Sequence, residues 1–124
     1  MYGNFAKRDP RAPRRVATLI YPGVTLLDVA GPTQVFSSAN DLAGGAAIYE
    51  TLLLSRQGGG IASDTGVVLD SLPLDAMPPG ALDTLLVAGG TGVFAAVDDP
   101  QLVDWVARAG RQARRAGSTC MGAM

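Results

Sequence analysis

The stretch VATLIYPGVTLLDVAGPTQVFSSANDLAGG, residues 16–45, decides the fold class, because it holds a buried strand, a turn and a helix in succession. Residues 16–21 form an apolar, β-branched run that a Pro-Gly pair closes, which predicts a β-strand. Pro32 is suited to a first helical turn, and the apolar residues after it recur at helical spacing. The sequence therefore predicts a helix from Pro32 that ends at the two glycines at 44–45.

The rest of the chain continues this alternation of strands and helices. YETLLLS (49–55) predicts a second strand, residues 58–71 a short hairpin bounded by glycines, and DTLLVAGG (83–90) a third long strand. Residues 98–117 then predict an amphipathic helix that Asp98 or Asp99 caps and that a glycine at 117 stops. The residues STC, 118–120, predict a short last strand.

This order of elements predicts the fold class. Long crossovers between apolar strands are typical of a parallel sheet with helices on both faces. We therefore predict an α/β fold of the flavodoxin-like or Rossmann-like type. Function in such folds lies at the carboxyl ends of the strands, which selects three loops. They are YPGVTLLDVAGP (21–32), AGGTGV (88–93) and CMGA (120–123).

Length and charge indicate a single domain and argue against a nucleic-acid-binding surface on it. The 124 residues suffice for about one domain, and the net charge is −1. Five of the ten basic residues lie in residues 1–15, which we predict to be a disordered basic leader. That leader is either a solvated tail or a contact for nucleic acid or anionic lipid. Residues 16–124 carry five basic and ten acidic residues, so they lack the broad basic surface of a nucleic-acid-binding domain.

The single cysteine, Cys120, is the first candidate functional residue. It falls at the junction of a predicted strand and helix, between small residues that permit the tight turn of a nucleophile elbow. Amides and the helix dipole at such a junction favour a thiolate. The alternative is a small core residue. One cysteine without a partner also fits a reducing cytoplasm, and no apolar stretch is long enough to span a membrane.

Two further features lie on the other loops. The turn at Gly89 and Gly90 exposes amides that are able to hold an oxyanion or a carboxylate, or it is simply a turn. Asp28 is a single acid in an apolar run, where partial desolvation favours its protonated form. It would then donate a hydrogen bond to the thiolate. The alternative is that Asp28 caps the following helix.

Three segments carry a resemblance to a known family: RRVATLIYPGVTLLDVAGPTQVFSSAN (14–40), DTLLVAGGTGV (83–93) and GSTCMGA (117–123). In this order and spacing they resemble the ThiJ/PfpI superfamily of class I glutamine amidotransferase-like domains. The segment LDVAGP most resembles the branch that holds isonitrile hydratases and the N-terminal sensor domains of AraC-type regulators, the GlxA-like group. The resemblance covers residues 15–124.

The resemblance implies roles for individual residues. Cys120 takes the place of the reactive elbow cysteine, and Asp28 that of the acid that hydrogen-bonds to it. Gly89 and Gly90 match the amides that face the sulfur, and Thr91 stands where the branch often has proline.

Met121 departs from the family pattern. It replaces a threonine in the hydratase and regulator branch, or a histidine in the peptidase-like branch. The chain has no histidine, so no Cys–His pair forms within it.

From this resemblance we predict a non-catalytic, ligand-sensing domain of an AraC-type regulator. The alternatives are an isonitrile hydratase-like enzyme and a thiol that senses oxidants. Because the family domain continues past the elbow, we predict that the chain is an N-terminal fragment. DNA would then bind only through a missing C-terminal module. The expected partners are a small-molecule ligand and a second copy in a homodimer, with no membrane, no metal and no cofactor.

Overall fold

The computed structural model describes residues 12–120, and it is an α/β fold built on a parallel sheet. The elements are, in chain order, β1 (Arg14–Leu19), α1 (Leu26–Leu42), β2 (Tyr49–Ser55), β3 (Ile61–Ala62), β4 (Val68–Leu69), β5 (Leu72–Pro73), two 3₁₀ turns (Leu74–Ala76 and Pro79–Ala81), β6 (Thr84–Val87), α2 (Val93–Ala96), α3 (Pro100–Gln112) and β7 (Arg115–Ser118). Within this range no helix is long and apolar enough to cross a bilayer.

The main sheet has five strands in the order β5-β2-β1-β6-β7, and every pairing in it is parallel. The central strand β1 pairs with β2 from Arg14↔Tyr49 to Leu19↔Leu54, and with β6 from Val16↔Thr84 to Leu19↔Val87. The predicted fold class is thereby confirmed. The predicted hairpin is the antiparallel pair β3–β4, which lies outside the main sheet.

Two apolar cores cover the two faces of the sheet, because successive side chains of a strand point to opposite sides. On one face, α3 packs its buried residues Leu102, Trp105 and Ala109 against Leu19 and its neighbours. Ile20 belongs to the other core, which Val29 of α1 joins. Helices therefore lie on both faces, as predicted.

Helix α1 begins at Leu26, six residues before the start that the sequence predicted. Pro32 lies inside the helix rather than in its first turn, so this prediction was wrong. The sequence around Pro32 did not show the true start of α1, because that start is stabilised by a residue outside the helix. The Leu26 amide donates to Asp64 Oδ1, 3.1 Å away, in the β3–β4 hairpin. Thr33 Oγ1 donates to the Val29 carbonyl one turn earlier, 2.7 Å away, which provides a local hydrogen bond beside the proline.

Helix α3 starts where its sequence predicts. The Asp99 carboxylate accepts hydrogen bonds from the Gln101 and Leu102 amides, and Pro100 occupies the first turn. The predicted stop at Gly117 was wrong. The helix ends at Gln112, and Gly117 lies in β7, paired with Leu86.

The amino edge of the sheet is held by a buried carboxylate that the sequence did not single out. Asp83 is 1% exposed, and Arg114 Nε donates to its Oδ1 at 2.8 Å while Arg14 approaches at 3.7 Å. Burial by itself raises the pKa of Asp83. The hydrogen bonds from Arg114 and Thr84 and the charges of Arg114 and Arg14 outweigh that effect, so the pKa is lowered overall.

Strand β1 begins earlier than the predicted residue 16, because Arg14 and Arg15 also pair with β2. Arg14 and Arg15 extend the strand, with the Arg14 amide bonded to the Ile48 carbonyl at 3.0 Å. Arg14 therefore belongs to the sheet rather than to a leader. Residues 12–13 of the predicted leader precede the strand, and residues 1–11 lie outside the described residues.

Candidate functional site

The described parts of the three loops selected from the sequence meet at the carboxyl edge of the sheet; of the third loop, residues 120–123, only Cys120 lies among the described residues. The loop after β1 crosses the glycine turn after β6, where the Thr25 amide donates to the Gly89 carbonyl at 2.8 Å and Val24 pairs with Gly90. The segment after β7 is attached alongside, because the Thr119 amide donates to the Val87 carbonyl at 3.0 Å. This shared edge brings together residues that lie up to 92 positions apart, from Asp28 to Cys120.

Asp28 and Cys120 are neighbours across Gly89. A Cβ placed on Gly89 would lie 2.8 Å from Asp28 Oδ2, 2.8 Å from Cys120 Cβ and 2.7 Å from the Thr119 carbonyl oxygen. Only a residue without a side chain leaves room for this approach. The carboxyl group and the cysteine thus flank one small space above the glycine.

Cys120 has an unusual backbone conformation. Its φ is 50°, the one positive value among the non-glycine residues described, and its side chain is exposed. The left-handed region costs an L-residue about 1–2 kcal/mol. Such strain persists only where surrounding contacts impose it, and it concentrates at functional sites.

Asp28 has a polar atom without a partner. It lies in the first turn of α1, where a negative charge suits the helix dipole, and not at the end of β1. It does not cap the helix, because it lies inside the first turn and Thr25 occupies the N-cap position. Its Oδ2 is buried and has no hydrogen bond within residues 12–120, and the same holds for Thr119 Oγ1. A buried oxygen of this kind is available to a ligand or to a proton.

Gly90 is a glycine because the first loop presses against it. A Cβ there would lie 2.5 Å from the Gly23 carbonyl oxygen and 2.7 Å from the Thr25 amide, and its φ is 149°. Neither the Gly89 nor the Gly90 amide donates a hydrogen bond inside the described part of the chain. Thr91, by contrast, is exposed.

Tyr21 is a neighbour of this site that the sequence reasoning missed. It is 5% exposed, and its hydroxyl donates to the Ala88 carbonyl at 2.6 Å. Burial, together with the smaller effects of the negative charges of Asp28 and Cys120, raises the pKa of Tyr21 to about 12. The only signal in the sequence was its position as the last residue of an apolar strand.

The sequence analysis also considered Met121 and a metal site. Met121 lies outside the described residues. Across residues 12–120 the structure shows no group of three or more Asp, Glu, Cys or His residues that is able to hold a metal ion.

No family model matches the chain. It is 34% identical over 111 residues to an uncharacterized protein in the cpoL 5′ region of Streptomyces lividans, with 90% of this chain and 76% of that protein covered. It is 29% identical over 110 residues to an isonitrile hydratase of Pseudomonas putida, covering 45% of the enzyme. Over 46 residues it is 44% identical to the HTH-type transcriptional regulator Rv1931c of Mycobacterium tuberculosis, covering 18% of it.

Solved structures share the fold. A ThiJ/PfpI family protein from Pseudomonas syringae superposes with a TM-score of 0.74 at 24% identity, covering 96% of this chain and 47% of that one. An AraC family transcriptional regulator from Pseudomonas putida superposes with a TM-score of 0.63 at 24% identity, covering 85% of this chain and 55% of that one. The chain thus spans about half the length of these structures. It belongs to one family with the Streptomyces lividans protein, and it has the fold of the ThiJ/PfpI family structure.

Proposed function

We propose that the chain is the ligand-sensing, non-catalytic domain of an AraC-type transcription regulator. The observation that carries this proposal is the 44% identity over 46 residues to an HTH-type regulator; an isonitrile hydratase matches at 29% identity over 110 residues. An AraC family regulator with the same fold supports it.

The sensing site would be the edge that holds Cys120, Asp28 and the glycine turn. We infer that Cys120 occupies a nucleophile elbow, since its strained backbone and exposed sulfur fit that geometry. A small molecule over Gly89 would meet the thiol, the partner-free Asp28 oxygen and the Gly89 and Gly90 amides, which have no acceptor among the described residues. Thr91, on the exposed side of the turn, and Met121 would complete the ligand contacts.

The wider role follows from this proposal. DNA would be bound by a separate helix-turn-helix module, because residues 16–124 are acidic overall. We further propose a cytoplasmic homodimer in which the ligand changes how two such modules are spaced on DNA.

The reading frame provides the first test. A helix-turn-helix pattern about two hundred residues downstream of Cys120, one further domain away, supports the regulator. A stop codon after another half-domain contradicts it. In a second test, the full gene product is footprinted on its own upstream DNA, and Asp28→Asn is expected to change the ligand response without abolishing DNA binding.

A hydratase is the second candidate, and the partner-free Asp28 carboxyl oxygen beside Cys120 favours it. The Cys120 thiolate would attack the isonitrile carbon, forming an S–C bond, while Asp28 delivers a proton to give a thioimidate. Water would then add to that carbon. Breaking the C–S bond regenerates the thiol and releases an N-substituted formamide, so that one isonitrile and one water give one product.

An assay separates the two candidates. The full-length protein is incubated with n-butyl isocyanide, and N-butylformamide is measured by chromatography for wild type and Cys120→Ser. Formation by the wild type alone supports the hydratase. Absence of product from both proteins removes the hydratase and leaves the sensor.

A further inference from the structure

A cavity that Cys120 does not line also lies on the carboxyl edge of the sheet. Its volume is about 280 Å³, and the residues after β1 and β2, strand β3 and the start of α3 form its walls. Its apolar lining comes from Ile20, Tyr21, Pro22, Ile61 and Leu102. This size is near the lower end of the ~300–1,000 Å³ typical of small-molecule sites.

Arg56 is the one charged residue that lines this cavity. Its Nε donates to Asp99 Oδ2 at 2.9 Å, and its side chain is about one-third exposed. The two terminal nitrogens of its guanidinium have no hydrogen-bond partner within residues 12–120. The cavity therefore has mainly apolar walls and one guanidinium, which is ion-paired to Asp99 through Nε and keeps its two terminal nitrogens without a partner among the described residues.

The position of this fork is fixed by α3. Asp99 cannot swing away from Arg56 freely, because its other oxygen caps the helix through the Gln101 and Leu102 amides at 3.1 and 3.4 Å. A guanidinium already held in place loses less conformational entropy when it binds a ligand. Arg56 is thus preorganised at the cavity wall.

The surroundings select a carboxylate over other anions. The Gly58 and Gly59 amides nearby are already bonded, to Ser55 Oγ and to the Ser71 carbonyl, so they do not offer the amide cradle that phosphate groups use. A single guanidinium fork matches a planar carboxylate. A neighbouring polar cavity that Arg56 also lines contains Asp75 and the Asp104–Arg108 ion pair, so its acidic and basic charges are balanced.

We propose that this cavity binds a small monocarboxylic acid with an apolar body, the carboxylate on Arg56 and the hydrocarbon or aromatic part against Ile20, Tyr21 and Leu102. Cys120, Asp28 and Gly89 do not line this cavity, although it shares the carboxyl edge of the sheet with them, so the proposal does not depend on the proposed sensing role. Tyr21 borders both sites, its ring on the cavity and its hydroxyl on the Ala88 carbonyl.

The test titrates the chain with 3-phenylpropionate and with its neutral analogue 3-phenylpropan-1-ol, by calorimetry and by amide chemical shifts. The acid is expected to bind about ten-fold or more tightly than the alcohol, because a charge-assisted hydrogen bond distinguishes them. Amide shifts are expected at residues 20–21 and 56–58. Equal binding of the two compounds by the wild type overturns the proposal, and this comparison needs no variant.

Variants then assign the carboxylate to Arg56. Arg56→Gln is expected to lose the preference for the acid, whereas Arg111→Gln, a matched change at an exposed arginine on α3, keeps it. Retention of the preference by a folded Arg56→Gln overturns the proposal. Cys120→Ser is expected to bind the acid as the wild type does, and its loss of binding would place the acid at the Cys120 edge instead.

Discussion

Arg114 holds both carboxylate oxygens of Asp83, with Nε 2.8 Å from Oδ1 and Nη2 3.2 Å from Oδ2. The pair joins β7 to the start of β6 at the amino edge, opposite the candidate site. Strand β7 ends two residues before Cys120. The pair is therefore one of the contacts that fix the position of the strand from which Cys120 follows.

Asp83→Asn is expected to destabilise the fold by about 1–3 kcal/mol. The substitution leaves Arg114 and Arg14 without their buried anion, although both arginines are partly exposed, which limits the loss. Urea unfolding measures the change. Asp75→Asn, at an exposed position, is the matched control and is expected to change little.

The same carboxylate predicts a dependence on pH. Its pKa is lowered in the folded state, so its contribution is complete above the ordinary value of about 4 and is lost as the pH falls through the folded-state pKa. The stability difference between wild type and Asp83→Asn should therefore shrink below about pH 4. A difference that stays constant from pH 6 to the acid limit would contradict this account.

The raised pKa of Tyr21 leads us to expect a loss of folding stability at alkaline pH, opposite to the loss at acid pH expected for Asp83. Its folded-state pKa of about 12 lies above the unfolded value of 10.0, so its contribution is present below pH 10 and is lost as the pH rises toward 12. Wild type should lose stability across that window, and Tyr21→Phe should lose less. At neutral pH, Tyr21→Phe is expected to cost about 1–2 kcal/mol, because the Ala88 carbonyl loses its donor.

Gly89→Ala tests the approach of Asp28 to Cys120. The added methyl would lie 2.8 Å from both, so we expect a loss of about 1–3 kcal/mol and a several-fold change in the rate at which a disulfide reagent modifies Cys120. Gly31→Ala provides the control, since its Cβ meets nothing within 4 Å in the middle of α1. That variant should gain about 0.5–1 kcal/mol and react like the wild type.

Asp64→Ala is expected to destabilise the fold by about 1 kcal/mol, because α1 loses the acceptor for its Leu26 amide. Asp64→Asn keeps an oxygen at that position and should lose only a few tenths. Thermal unfolding of the three proteins measures the order. Equal losses for both variants would show that charge, and not capping, is what Asp64 contributes.

The sequence predicted those elements whose signals are local. The apolar run YETLLLS gave the bounds of β2, and the Asp99-Pro100 pair gave the start of α3, because strand pattern and cap chemistry act within a few residues. Pro32 was misplaced because the true start of α1 depends on Asp64, 38 residues away. The two-residue strand β5 and the four-residue helix α2 carry too few residues for a periodic pattern.

The candidate site could be predicted in part from the topology of the sheet. Rules for parallel sheets bring the three loops to one edge, and the structure places Asp28, Gly89 and Cys120 there. Tyr21 and Arg56 could not be selected, because their relevance comes from a buried carbonyl and from a cavity wall. Neither is visible before the chain is folded.

The attachment of the hairpin to α1 decides where the protein tolerates an insertion. The Gly23 amide donates to the Ala62 carbonyl, and the Asp64 amide donates to the Val24 carbonyl. An epitope or a fluorescent reporter inserted within residues 62–66 would therefore disturb the start of the helix that carries Asp28. The Gly44–Gly45 turn is exposed, and a Cβ there meets nothing within 4 Å. An engineered reporter therefore belongs in that turn, at the end of α1 farthest from Asp28.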